Sequence, residues 1–334
     1  MLKNVLLKIV SIGLICCSAF ALQAKSILTV YTYNSFIADW GPGPTIKPAF
    51  EQICHCELKL IGLSDGVALL NRLRMEGKNS PADIVLGLDN NLIDLAKKTG
   101  LFTESKIDIS QLKLPIKWDN NIFIPYDYGY FAFIYDKTRI TEVPKSLDEL
   151  INSPQPWKII YQDPRTSTPG LGLLLWIQKI YGQNSAQAWQ KITQKTVTVT
   201  KGWSESYGLF LKGESDFVLS YSSSPGFHLL NDKKNNYAAA LFSEGHYLQI
   251  EVAAQLATSK QPKLAKQFMQ FMLSPTFQKT LPTTNWMYPI IDIPLPDVYQ
   301  QIPVPKKSLQ FNAEDITQHR NQWINLWQNA VSHQ

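Results

Sequence analysis

Two short runs place hydroxyls directly ahead of a proline: Ser167-Thr168-Pro169 and Ser222-Ser223-Ser224-Pro225. A serine or threonine cap with proline at the first helical position is a strong helix-start signal. A helix start leaves N–H groups free and carries the positive end of the helix dipole, so it can hold an anion. Each run follows a β-rich segment, which predicts two helix starts at neighbouring strand ends, capped by Thr168 and Ser224. Either cap alone would do no more than finish its own helix. The pair points to hydroxyls that serve one phosphate. The Gly170-Leu171-Gly172 that follows lacks the Lys-Ser or Lys-Thr of a phosphate-cradling P-loop. Asp65 precedes Gly66 in the same cap arrangement. Its carboxylate is either a helix cap or an acceptor for a ligand amino group, and Asp89 and Asp127 are further candidates of this kind.

Aromatic rings gather at the same places. Tyr33 ends a β-rich run, Trp203 follows one, Tyr221 ends another, and Trp286 lies in the polar loop Thr283-Thr284-Asn285-Trp286-Met287-Tyr288-Pro289. Each of the four sits beside Gly, Ser, Thr or Asn. Trp176 and Trp323, by contrast, stand at helical spacing among apolar residues and read as core. A ring face attracts a cation by about 0.5–2 kcal/mol per contact, more where water is excluded. Two or three such contacts would favour a cation over a neutral isostere by roughly a hundredfold, about 3 kcal/mol. Rings and hydroxyl-bearing helix starts together point to a flat cation with an anionic tail.

These residues need strands and helices to position them. Strands are predicted at Ile27–Tyr33, Glu57–Leu63 and Ile84–Leu88, alternating with helices at Pro44–Ile53, Gly66–Glu76 and Asn90–Thr99. That order argues for an open α/β sheet, whose ligands sit outside the carboxyl ends of its strands. Ile122–Tyr135 is β-rich and too long for one ordinary strand, and Tyr247–Ala257 is long as well. Both read as crossings between two lobes, which makes a hinge rather than a flexible linker. Between them a second α/β set is expected, with strands at Trp157–Tyr161, Val197–Thr200 and Phe217–Tyr221 and helices at Pro169–Tyr181, Tyr207–Lys212 and from Pro225 to Leu230. A helix at Pro262–Leu273 and a terminal helix at Ala313–Val331, with Trp323 and Trp327 inward, complete the chain. The expected lobes are 25–130 with 250–300, and 131–249 with 301–334.

The first 24 residues read as a secretory signal. Lys3 and Lys8 precede an apolar run from Ile9 to Ala21, and small residues offer cleavage after Ala21 or Ala24. The run is shorter than the ~20 apolar residues of a membrane span. Bulky Leu14 and Ile15 ahead of Cys16 and Cys17 argue against a lipid anchor. Cleavage would lower the formal charge from +5 to +3, and no basic run suggests nucleic acid. The mature chain keeps Cys54 and Cys56, either a local disulfide or two thiols. Its five histidines show no ligand spacing, so no metal is expected.

Several long segments together resemble the periplasmic thiamine-binding proteins, a family within the solute-binding proteins of bacterial ABC importers. They are Leu28 to Tyr33, Ala38 to Pro44, Leu69 to Ser80, Gly87 to Asn91, Tyr161 to Gly172, Thr200 to Ser204 and Asn285 to Pro289. The likeness spans nearly the whole mature chain. It implies a type II periplasmic-binding fold, two α/β lobes joined by a hinge of crossing strands, in the periplasm after signal cleavage. It implies thiamine, thiamine monophosphate and thiamine diphosphate as ligands, with a membrane permease and its ATPase as partners and no cofactor.

The resemblance further implies that Asp65, Gly66, Ser167, Thr168, Trp203, Tyr221, Ser222, Ser223 and Ser224 contact the ligand, with Tyr33 and Trp286 in the pocket. Asp65 would meet the aminopyrimidine, the rings would enclose the two heterocycles, and the helix starts would hold the phosphate. Phe227 stands where the family pattern has tyrosine, so a ring remains and a phenolic hydrogen bond is lost. Thiaminase I, an enzyme similar in fold, uses a cysteine nucleophile. Here both mature cysteines fall at the amino end of a strand, opposite the expected cleft, so the chain reads as a binding protein rather than an enzyme. A same-fold binder of another cationic or phosphorylated solute, such as a polyamine, or of ferric ion is the alternative.

Overall fold

The computed structural model describes residues 25–332. The expected signal, with its Ala21 and Ala24 cleavage points, lies outside the described residues.

The β-branched and aromatic run Ile27–Tyr33 forms the first strand and pairs in parallel with Glu57–Leu63 and with Ile84–Asp89. The helices between them are set by local signals. Gly43–Cys54 has Pro44 in its first turn and ends at His55 in the left-handed conformation. Gly66–Glu76 begins at Asp65, whose side chain accepts the Gly66 N–H at 2.8 Å, and ends at Gly77. The three strands then meet two long antiparallel ones, and the spatial order is Glu57–Leu63, Ile27–Tyr33, Ile84–Asp89, His246–Leu256, Ile124–Asp136, Phe217–Tyr221, Ile159–Gln162, Thr196–Thr200. The last three run parallel to one another.

Ile124–Asp136 joins the two halves. Residues 124–130 pair with His246–Leu256, whereas Phe131 to Asp136 pair with Phe217–Tyr221 and Tyr237–Ala240. Its 13 residues reach about 43 Å at the usual rise per residue, enough to run through both sheets. The terminal helix Ala313–Ser332 packs on Ser185–Lys195, Thr168–Tyr181 and Ile93–Lys97. Trp323 and Trp327 are buried, and the Trp327 indole donates to the Tyr161 hydroxyl at 3.0 Å. Trp176 is fully buried and stacks on Phe133, which bears out the core reading.

The structure corrects several local expectations. The helix expected over Asn90–Thr99 is confined to Ile93–Lys97. That expected from Tyr207 begins at Trp203. The one expected from Pro225 to Leu230 is a single α turn, Pro225–Phe227, followed by a π turn, His228–Asp232. His228 is fixed there from both sides, by Asp232 at 2.7 Å and the Tyr207 hydroxyl at 3.0 Å. Ser185–Lys195 is an additional amphipathic helix, burying Ala188, Trp189 and Ile192. Cys54 and Cys56 are disulfide-bonded, beside the amino end of Glu57–Leu63. No helix among the described residues is long and apolar enough to cross a membrane.

Candidate functional site

A cavity of about 300 Å³ opens where the carboxyl ends of strands from both sheets meet. Tyr33, Asp65, Trp203, Tyr221, Ser224, Phe227 and Trp286 all line it. Gly66, Ser167, Thr168, Ser222 and Ser223 are not on its wall and lie buried behind it.

Asp65 connects the two sets. It follows Glu57–Leu63, yet the Ser167 hydroxyl donates to its Oδ2 at 2.7 Å and the Thr168 hydroxyl to its Oδ1 at 2.9 Å. One carboxylate on the first set of strands is therefore gripped by donors from the second. The Ala68 N–H to Thr166 carbonyl bond, 2.9 Å, extends the contact. Gly66 is required by this approach. A Cβ there would lie 2.3 Å from the Gly87 carbonyl oxygen and 2.5 Å from Thr168 Cγ2.

The expected caps are corrected in part. Ser167, not Thr168, caps Thr168–Tyr181, accepting the Gly170 N–H at 3.3 Å. Ser224 caps nothing: its backbone is already helical and its hydroxyl turns back to Ser220 at 2.7 Å. Three residues of α helix make no anion-binding start, so the pairing of two helix starts is not present. The Ser222 hydroxyl is buried with no partner among the described residues.

The rings are held individually. The Trp203 indole N–H donates to Ser220 Oγ at 2.7 Å, and the ring stacks on Tyr207 at 4.9 Å. Trp286 has φ +56°, the left-handed conformation, at the end of the turn Leu281–Thr284. That conformation costs a non-glycine residue roughly 1–2 kcal/mol. The Trp286 N–H donates to the Leu281 carbonyl at 2.9 Å, the Ser223 hydroxyl donates to the Trp286 carbonyl, and the ring stacks on Tyr299. It also lies against Gly226, where a Cβ would come within 2.5 Å of it. Thus Ser223 and Gly226 act by fixing Trp286, again from the opposite half.

Sequence reasoning missed other wall residues, among them Trp40, Asn285 and Glu251. Trp40, partly exposed at the rim, stands 5.9 Å from Trp203 and 6.5 Å from Phe227, ring centre to ring centre. Its signal was an aromatic residue inside a Gly-Pro turn. Asn285, next to Trp286, donates to Asp127 Oδ2 at 2.7 Å. Glu251 was hidden in the middle of an apolar strand.

The cavity is acidic. No lysine, arginine or histidine among the described residues lines it. Burial pushes the carboxyl of Asp65 up despite its donors, and that of Asp89 up to about 7. Asp127 is pushed well above the carboxylate range by burial and by the charge of Glu251. Glu251 is raised by burial too, while the hydrogen bonds it accepts from Tyr33 and Tyr126 favour its charged form. Burial and the Glu251 charge also lift the Tyr33 phenol well above its ordinary value. An aromatic cage with an anionic floor suits a flat cation.

Two sheets sharing one long strand, with a ring-walled cavity between their strand ends, define a solute-binding protein of the type II periplasmic-binding fold. The family model for bacterial extracellular solute-binding proteins matches residues 42–279, and the chain belongs to that family. It is 62% identical to the thiamine-binding periplasmic protein of Escherichia coli (strain K12), covering 92% of this chain and 94% of that one. Identity to the thiamine-binding periplasmic protein of Haemophilus influenzae is 44%, over 99% and 100% of the two chains. The solved structure of a periplasmic thiamin binding protein superposes with a TM-score of 0.91 at 62% identity, covering 92% and 96%. A ferric binding protein from Campylobacter jejuni superposes with a TM-score of 0.73 at 21% identity, covering 91% and 99%, which shows the shared fold alone.

Proposed function

We propose that this chain captures thiamine in the periplasm and delivers it to the membrane permease of an ABC importer. The observation that carries this reading is the cavity itself, with rings on its walls, carboxylates on its floor and no basic side chain among the described residues lining it. The names of the relatives at 62% and 44% identity support the same ligand and compartment. The protein acts by binding and release, needs no cofactor, and is not an enzyme.

Tyr33, Asp65, Gly66, Ser167, Thr168, Trp203, Tyr221 to Ser224, Phe227 and Trp286 form the proposed ligand site. The lobes are taken as 25–130 with 250–300 and 131–249 with 301–334, closing about the shared strand. Thiamine monophosphate and diphosphate are proposed as further ligands. A phosphate reaching the start of Thr168–Tyr181 would exchange the Ser167 and Thr168 hydroxyls from Asp65 to its own oxygens. Ferric ion is the less suitable ligand, because the described residues hold no group of three or more His, Cys, Asp or Glu placed to ligate a metal ion.

Tryptophan fluorescence tests the reading, since Trp40, Trp203 and Trp286 line the cavity. Thiamine should change the emission of the mature protein saturably, and spermidine should not. An unchanged spectrum with thiamine would refute it.

A further inference from the structure

Glu251 interrupts His246–Leu256, an eleven-residue strand buried throughout, and it lines the cavity. A buried carboxylate carries a large desolvation cost unless its charge is compensated. No described residue forms a salt bridge with it. Its Oε2 accepts from the Tyr33 hydroxyl at 2.8 Å, the Tyr126 hydroxyl at 2.9 Å and Asn285 Nδ2 at 3.2 Å. No N–H or hydroxyl among the described residues donates to its Oε1. The Asp127 carboxyl lies against it, with Asp65 at longer range. Three donors from three separate elements thus orient one oxygen, and none of them brings a positive charge.

The rings favour a cation over a neutral heterocycle, which also packs well on an aromatic face, and a full opposing charge adds to that selectivity. We propose that Glu251 sharpens this pocket's preference for a cation: oriented by Tyr33, Tyr126 and Asn285, it provides the counter-charge for a positively charged ring inside the aromatic cage. Asp127, whose Oδ2 is held by Asn285, lies behind it and does not line the cavity. This inference rests on the thiamine reading above.

The test compares thiamine with its neutral isostere, in which carbon replaces the thiazolium nitrogen, by calorimetric titration of the full mature chain. The wild-type protein should prefer thiamine by about tenfold or more. Glu251→Gln should lower thiamine affinity by about tenfold or more, and the isostere by less than about threefold, so the preference narrows. Asp127→Asn leaves Glu251 charged and should keep the preference or increase it. Should Glu251→Gln fail to fold, the Asp127→Asn comparison decides. Equal losses for both ligands in Glu251→Gln, no loss for either, or a vanished preference in Asp127→Asn would each overturn the proposal. Tight but unselective binding by the wild type would refute the role of Glu251 and leave the thiamine reading standing. Failure of the wild type to bind thiamine at all would refute both.

Discussion

The Ser167 hydroxyl donates a 2.7 Å hydrogen bond to the Asp65 carboxylate, joining residues 102 apart in sequence and rooted in different sheets. Thr168 and the Gly66 N–H converge on the same carboxylate. Removing the acceptor would leave three donors without their partner at the closed boundary between the halves. A buried group left unpaired costs about 1–3 kcal/mol. Asp65→Ala should therefore weaken thiamine binding at least about tenfold, which is ~1.4 kcal/mol. A titration curve identical to the wild type would remove Asp65 from the site.

Trp203 contributes a ring face to the cavity and an indole N–H to Ser220. Trp203→Ala should also lower thiamine affinity at least about tenfold, within the range of a desolvated cation–ring contact. Trp203→Phe should recover part of the loss, since a ring returns without its hydrogen bond. Equal losses in the two variants would mean that the ring face contributes little.

Ser167→Ala separates the phosphorylated ligands from the free vitamin. The Ser167 hydroxyl faces Asp65 in this structure. A phosphate that draws it away would make the substitution costlier for thiamine diphosphate than for thiamine. Parallel titrations of both ligands measure this, and equal losses would mean that the hydroxyl serves Asp65 alone.

Gly226 is a close fit against Trp286. A methyl group there would lie 2.5 Å from the Trp286 ring. Gly226→Ala should displace that ring and weaken thiamine binding severalfold with little loss of secondary structure, read by far-ultraviolet circular dichroism beside the titration. Unchanged affinity would show that the position of Trp286 is not critical.

Asp89 gives the fold a pH dependence of definite sign. Burial raises its carboxyl to about 7, against an ordinary value of 3.8. Between those values the folded protein holds a proton that the unfolded chain has released, so this contribution to stability falls as pH rises and levels off above about 7. Asp89→Asn lacks it, so the variant should gain in Tm relative to the wild type between about pH 5 and about pH 8. A Tm difference that does not vary with pH would contradict the assignment.

Much of the scaffold was legible in the chain. Alternation in Ile27–Tyr33 and the apolar runs at Ile84 and Phe217 specified strands, and the length of the β-rich segment at Ile124 announced a strand that crosses. Trp203, Tyr221 and Trp286 stood out because rings beside turn residues are poorly explained as core. Ser224 misled, because its hydroxyl bonds to Ser220 on the preceding strand rather than to the following turn, a choice made by tertiary packing. Glu251 could not be read at all. Its role depends on Tyr33, Tyr126 and Asn285, which lie far from it in sequence and meet only when the sheets are assembled.

In the proposed site, rings and carboxylates from both halves form one cage for thiamine. Isothermal titration of the purified mature protein tests it most directly. A single saturable site with micromolar or tighter affinity, about −8 kcal/mol or stronger, is predicted for thiamine. No heat with thiamine, together with saturable binding of spermidine or ferric ion, would contradict it.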